Sequence, residues 1–170
     1  MSYSDFIIRL GVAFLVGFAV GLERELSQKE AGLRTNLLVV MGACIFVLVA
    51  LELTADGKGD PSRAVAEVAA GIGFLGAGVI LHRGLNVHGL TTAATVWCNA
   101  ALGCVAASGF IAEALTAGLF VLLVNAGLRP VDELLENRSQ ERKRKAAKDE
   151  NHGMSREDYS NDQRHQREDN

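Results

Sequence analysis

Five stretches in the first 128 residues are almost purely apolar, and short polar segments separate them: 6–22, 37–53, 64–81, 91–108 and 110–128. They run 17, 17, 18, 18 and 19 residues. A hydrocarbon layer about 30 Å thick takes roughly 20 helical residues, with about 17 to 25 observed. Each stretch therefore reads as a transmembrane helix, the shorter ones relying on snorkelling ends or local thinning. A soluble bundle needs a polar face on its helices, and these segments have hardly any. The pattern predicts an all-α polytopic membrane protein with a five-helix membrane domain over residues 5–128.

Charge changes the picture only at the carboxyl end. Residues 129–170 hold 10 of the 17 Lys and Arg and 11 of the 20 Asp and Glu. The mean hydropathy of +0.17 and net charge of -3 thus average two unlike regions. Residues 129–150 read as a juxtamembrane charged helix, with Pro130 tolerable near its first turn. Residues 151–170 have little to bury and read as a disordered tail. Only Arg9 charges the start, and no small-x-small cleavage pattern precedes Glu23-Arg24-Glu25, so the first segment is expected to stay in place. Cys44, Cys98 and Cys104 all fall inside spans without CxxC spacing and read as packing residues.

Short loops set orientation through their Lys and Arg, which are retained in the cytoplasm. One side collects Arg24, Lys29, Arg34, Arg83 and the tail; the other has Lys58, Arg63 and Arg9 at the rim. The amino end is expected outside and the carboxyl end in the cytoplasm. Arg142, Lys143, Arg144 and Lys145 would then lie near the inner leaflet. They read either as an attraction for anionic lipid, at about 1 kcal/mol per charge near the surface, or as a solvated helix face. The lipid bilayer is the first expected partner and another inner-membrane protein the second; nucleic acid is not expected, and the oligomeric state stays open.

Small residues recur along the spans. Gly17 and Gly21 form a GxxxG, and Gly71, Gly73, Gly76 and Gly78 line the third stretch. Helices in lipid associate through such positions, within one chain or between copies. Gly71, Gly73 and Gly76 also match GxGxxG, but the preceding residues are helical in composition and no acid follows about 20 positions on, so the dinucleotide reading fails. Asp56, Asp60 and Glu67 mimic positions of a calcium loop, yet Lys58 and Pro61 stand where that loop needs a ligand and a glycine. Asp60 instead reads as a cap for the third span, with Pro61 at its first position. Glu52, Asp56, Asp60 and Glu67 still make a loose acidic patch, either a cation site or solvated loop charge.

Glu67 lies one turn inside an apolar span, where an ionisable group usually meets a cavity or a partner. Arg9, on the same predicted side, is its candidate partner, and snorkelling from the rim is the other reading for both. The opposite face gathers more. Glu23, Arg24 and Glu25 end the first span, Arg34 and Thr35 with Asn36 open the second, His82 and Arg83 end the third, and Thr91 and Thr92 open the fourth. Such a set serves either as anchors and caps or as a site in which Arg binds a carboxylate or phosphate. No nucleophile triad or close metal-ligand array appears, so no enzyme and no cofactor is expected.

Those same residues carry a family likeness. Gly21-Leu22-Glu23-Arg24-Glu25, Ala31-Gly32-Leu33-Arg34-Thr35, Asp60-Pro61-Ser62-Arg63, the run 71–78 and Gly89-Leu90-Thr91-Thr92-Ala93-Ala94 occur in order. Together they resemble the signature of the MgtC/SapB family of bacterial membrane proteins, over roughly residues 5–128. The resemblance implies a multi-pass inner-membrane protein, in a family linked to growth in low magnesium and, in pathogens, to survival inside host cells. Several members resemble regulators acting on other membrane proteins. Glu67 stands where the family commonly shows glutamine, and Asn36 where histidine is common. The 129–170 tail has no folded-domain pattern, so the cytoplasmic domain of virulence-associated members is expected to be absent. A regulatory role in adaptation to low magnesium or related stress is the leading expectation; a small carrier or channel for magnesium or another cation is the alternative, resting on Glu67 and the acidic patch.

Overall fold

The computed structural model describes residues 1–83 and 86–128. The expected juxtamembrane helix, its Arg142, Lys143, Arg144 and Lys145 cluster, and the tail lie outside the described residues. Within them the chain forms five helices: α1 (Tyr3–Leu26), α2 (Leu33–Leu53), α3 (Ser62–Val79), α4 (Leu90–Ala107) and α5 (Ile111–Gly127). The first four are long and apolar enough to cross a membrane, and α5, at 17 residues, is slightly shorter. Their outward side chains, among them Leu15, Phe18, Phe46, Phe74, Leu115 and Phe120, form the apolar coat that hydrocarbon requires.

The helices extend past the purely apolar stretches where local chemistry allows. α1 begins three residues early, with Asp5 in its first turn, and runs through the polar Glu23 to Leu26, with Arg24 in its last turn. Both charges complement the helix dipole. α2 begins at Leu33 because the Glu25 carboxylate, reaching back from α1, accepts the Leu33 amide at 2.9 Å. Gly32 leaves room for that carboxylate, which a side chain there would strike.

α3 ends earlier than the hydropathy suggests. The chain turns extended at Ile80, and Leu81–Arg83 pairs antiparallel with Asn86–His88 as β1 and β2. His82 and Arg83 therefore belong to a hairpin strand and not to the end of a helix. The hairpin returns the chain beside its departure point, where Gly89 sits at φ 85° and its α-carbon faces the Val79 carbonyl too closely for any side chain. Glycine is required there on both counts.

α4 is the centre of the bundle. It packs against every other helix, and α1 and α2 form the other extensive pair. Gly17 lies under Val40 and Gly21 against the Leu33 backbone, so the GxxxG of α1 seats α2 of the same chain. Gly103 meets the Val40 carbonyl, Gly118 meets Val16, and Gly76 lies near Ala93. Val12, Ala13, Val16, Val40, Ala43, Cys44, Val47, Leu102, Ala106 and Ala107 fill the space between them.

Candidate functional site

The ends of α1 and α5 and the starts of α2 and α4 meet at one end of the bundle, and their polar side chains turn inward. α4 sets the pattern. Thr92, Thr95 and Asn99 recur at three- and four-residue spacing on its buried face, a polar stripe reaching about 10 Å into the bundle at 1.5 Å per residue. Each member draws a different neighbour inward.

At the mouth, Arg24 of α1 is buried, with only 2% of its surface exposed. Its Nη2 donates to the Thr92 hydroxyl at a long 3.4 Å, and that hydroxyl donates to Glu30 Oε2 at 2.9 Å. The hydroxyl thus bridges a buried cation to a loop carboxylate. Hydrogen bonds from the backbone amide of Glu30 and from Thr92 hold the Glu30 carboxyl below the ordinary glutamate range, against a small opposing effect of burial. Gln28, at φ 52°, turns the connection that presents Glu30.

Deeper in, Asn99 Nδ2 donates to Asn36 Oδ1 at 2.7 Å, and Asn36 Nδ2 donates to the carbonyls of Ala31 and Gly32 at 2.7 and 2.8 Å. Both amides are fully buried. This chain of amides ties the middle of α4 to the start of α2 and the loop before it. Thr95 donates to the Thr91 carbonyl and reaches Asn125 Oδ1 of α5 at 3.2 Å. Glu23 Oε2, Arg24 Nε, Asn99 Oδ1 and Asn125 Nδ2 are buried without a hydrogen-bond partner among the described residues. The site so keeps two spare acceptors and two spare donors.

Beyond Asn99 the stripe ends. Gly103, Ala106 and Ala107 continue α4 through the apolar core. At the far end Arg9 Nη1 donates to the Ala107 carbonyl at 2.7 Å and lies against Gly109, whose φ of 87° turns the chain into α5. Arg9 therefore caps α4, in place of pairing with Glu67. Lysine or arginine at the carbonyl end of a helix is well suited to that task.

The residues singled out by motif divide accordingly. Arg24 and Thr92 share the buried cluster, while Glu25 caps α2 and Glu23 accepts from Ser27 at 2.8 Å. Arg34, Thr35 and Thr91 are exposed. Gly71, Gly73 and Gly78 have open space where a side chain would go. Asp60 accepts the Ser62 amide at 2.9 Å and caps α3 from one residue further out than expected. Hydrogen bonding from Ser62 keeps its carboxyl below the usual aspartate range. Glu52 pairs with the Met1 amino group and Asp56 with Lys58, and among the described residues no three His, Cys, Asp or Glu converge to hold a metal. Glu30, Thr95, Asn99 and Asn125 were not singled out by motif; the Thr92, Thr95, Asn99 spacing on one helical face was the available signal.

A model described as the MgtC family matches residues 10–134. An uncharacterised protein of Synechocystis is 44% identical over 137 residues, which is 81% of this chain and 58% of that relative. A protein named MgtC from Brucella abortus is 46% identical over 133 residues, 78% of this chain and 55% of the relative. The Salmonella typhimurium protein of that name is 45% identical over 129 residues, 76% of this chain and 54% of the relative. The chain so spans little more than half the length of these curated relatives. No solved structure matches.

Proposed function

The chain belongs to the MgtC family, and from that membership we propose a regulatory protein of the bacterial inner membrane. It works in adaptation to low magnesium or a related stress, in a family connected with virulence, by acting on other membrane proteins. Its amino end lies outside and its polar cluster faces the cytoplasm, as the distribution of Lys and Arg in the short loops supports.

One observation carries the reading: the polar stripe of α4 stops at Asn99, and beyond it a packed apolar core fills the space between α1, α2, α4 and α5. Cation pathways are built from rings of carbonyls or charged side chains, with apolar constrictions as gates, whereas this stripe spends its polar groups on tying helices together. Crosslinking pull-down from membranes grown in low magnesium tests it. The expected result is enrichment of a specific membrane protein over a charge-matched control; no enrichment of any such protein contradicts the reading. The carrier alternative draws on Glu67, whose carboxylate borders an open groove between α2 and α3.

A further inference from the structure

Some helical glycines of this bundle receive a neighbouring helix and others face open space. Gly17 takes Val40, Gly21 the Leu33 backbone, Gly103 the Val40 carbonyl and Gly118 the Val16 side chain. Gly42 of α2 and Gly71 of α3 are among the open ones, with Gly11, Gly73, Gly78 and Gly127, since a Cβ at any of them would meet nothing within 4 Å. Gly42 and Gly71 line one open groove of about 800 Å³ between α2 and α3, whose apolar walls include Leu38, Phe46 and Leu75. Helical glycine costs about 1 kcal/mol relative to alanine, and in lipid its return is close approach by another helix.

The groove also carries Glu67, exposed about 8 Å from the start of α3 at 1.5 Å per residue. Among the described residues it makes no hydrogen bond or ion pair: Arg9 is engaged by Ala107, and no pair joins it to Arg63 one turn away. Carboxylates at such depth are matched by a cation or a polar partner. We propose that the α2–α3 groove seats a transmembrane helix of a partner protein bearing an arginine or lysine at the depth of Glu67. This assignment rests on the regulatory reading and gives it a contact surface. A second copy fits poorly, because a two-fold axis along the membrane normal sets equal residues at equal depth and would oppose two Glu67 carboxylates. An acyl chain covers the walls but brings no cation.

The test uses the full chain in phosphatidylcholine vesicles with synthetic single-span, leucine-rich peptides carrying Arg, Leu or Glu at the guest position level with Glu67. A photoreactive phenylalanine analogue replaces either Phe46 in the groove or Phe120 on α5, both exposed. The Arg peptide should crosslink at Phe46 about tenfold more than the Leu peptide, as interhelical polar contacts of this class allow, with no preference at Phe120. Glu67→Gln should abolish the preference, and Glu67→Arg should transfer it to the Glu peptide. Helical circular dichroism and thermal melting of the variants should match the parent, since Glu67 holds nothing in the fold. Equal crosslinking of the Arg and Leu peptides, adducts of lipid or a second copy alone, or indifference to Glu67→Gln overturns the proposal. A membrane partner still captured by Glu67→Gln would sink the groove and leave the regulatory reading; peptide docking with no partner captured from membranes would do the reverse.

Discussion

α3 and α4 are packed neighbours of 18 residues each, both rich in alanine, and the fold uses them in opposite ways. In α4, 61% of the span is buried, and Thr92, Thr95 and Asn99 face inward to partners on α1, α2 and α5. In α3 only 11% is buried, Gly76 included, and its carboxylate Glu67 faces outward. Apolar content tells that a segment can cross a membrane; it is silent about which face is inside. Inside a bilayer that face is declared by polar side chains that find partners and by glycines that receive a neighbour.

The contrast can be broken most sharply at glycine. Gly103→Leu on α4 forces a side chain into the Val40 carbonyl and Ala43, and should destabilise by about 3 kcal/mol, read as a lowered melting temperature in detergent. Gly73→Ala on α3 meets open space and should change stability by less than about 1 kcal/mol. Similar losses at both positions would erase the distinction between the helices.

Next in size is the amide chain. Asn99→Ala leaves Asn36 Oδ1 without its donor, at a cost of about 1–3 kcal/mol. A double-mutant cycle with Asn36→Ala should give a coupling of about 0.6 kcal/mol, the average for membrane hydrogen bonds, and no more than about 1.7 kcal/mol. Additivity of the two changes would show that the amides do not act together.

A smaller effect is expected at the mouth of the site and depends on pH. The folded Glu30 pKa lies below its ordinary value of about 4.3, so its link to Thr92 stabilises fully above that value and is lost as pH falls through the lowered one. Thr92→Val removes the hydroxyl bridge. The Glu30 carboxyl should then titrate closer to 4.3 by carbon-13 NMR, and the acid dependence of melting should flatten; Glu30 is exposed, so the change in stability is slight. Smallest of all is Asp60→Ala, which releases the Ser62 amide and should speed hydrogen exchange in the first turn of α3 alone.

Much of this arrangement was legible in the chain. Hydropathy located all five helices, and the ordered motifs pointed to the end where Arg24 meets Thr92. The hairpin was not legible, because Leu81 extends an apolar run while Ile80 is already extended and β1 pairs only with residues three to seven further on. Gly103 and Gly118 stood alone without a glycine pattern, yet they make close contacts, whereas the patterned Gly71, Gly73 and Gly78 face open space. Asn99 and Asn125 were hidden for a related reason: one amide within an apolar run does not reveal the partner that three-dimensional packing supplies.

The most direct test of the proposed function, a bundle that regulates in place of conducting, is magnesium flux into proteoliposomes holding the purified protein. The packed apolar core beyond Asn99 predicts uptake equal to that of empty liposomes, for the parent and for Glu67→Gln alike. Saturable uptake above that baseline, reduced by Glu67→Gln, would contradict the account.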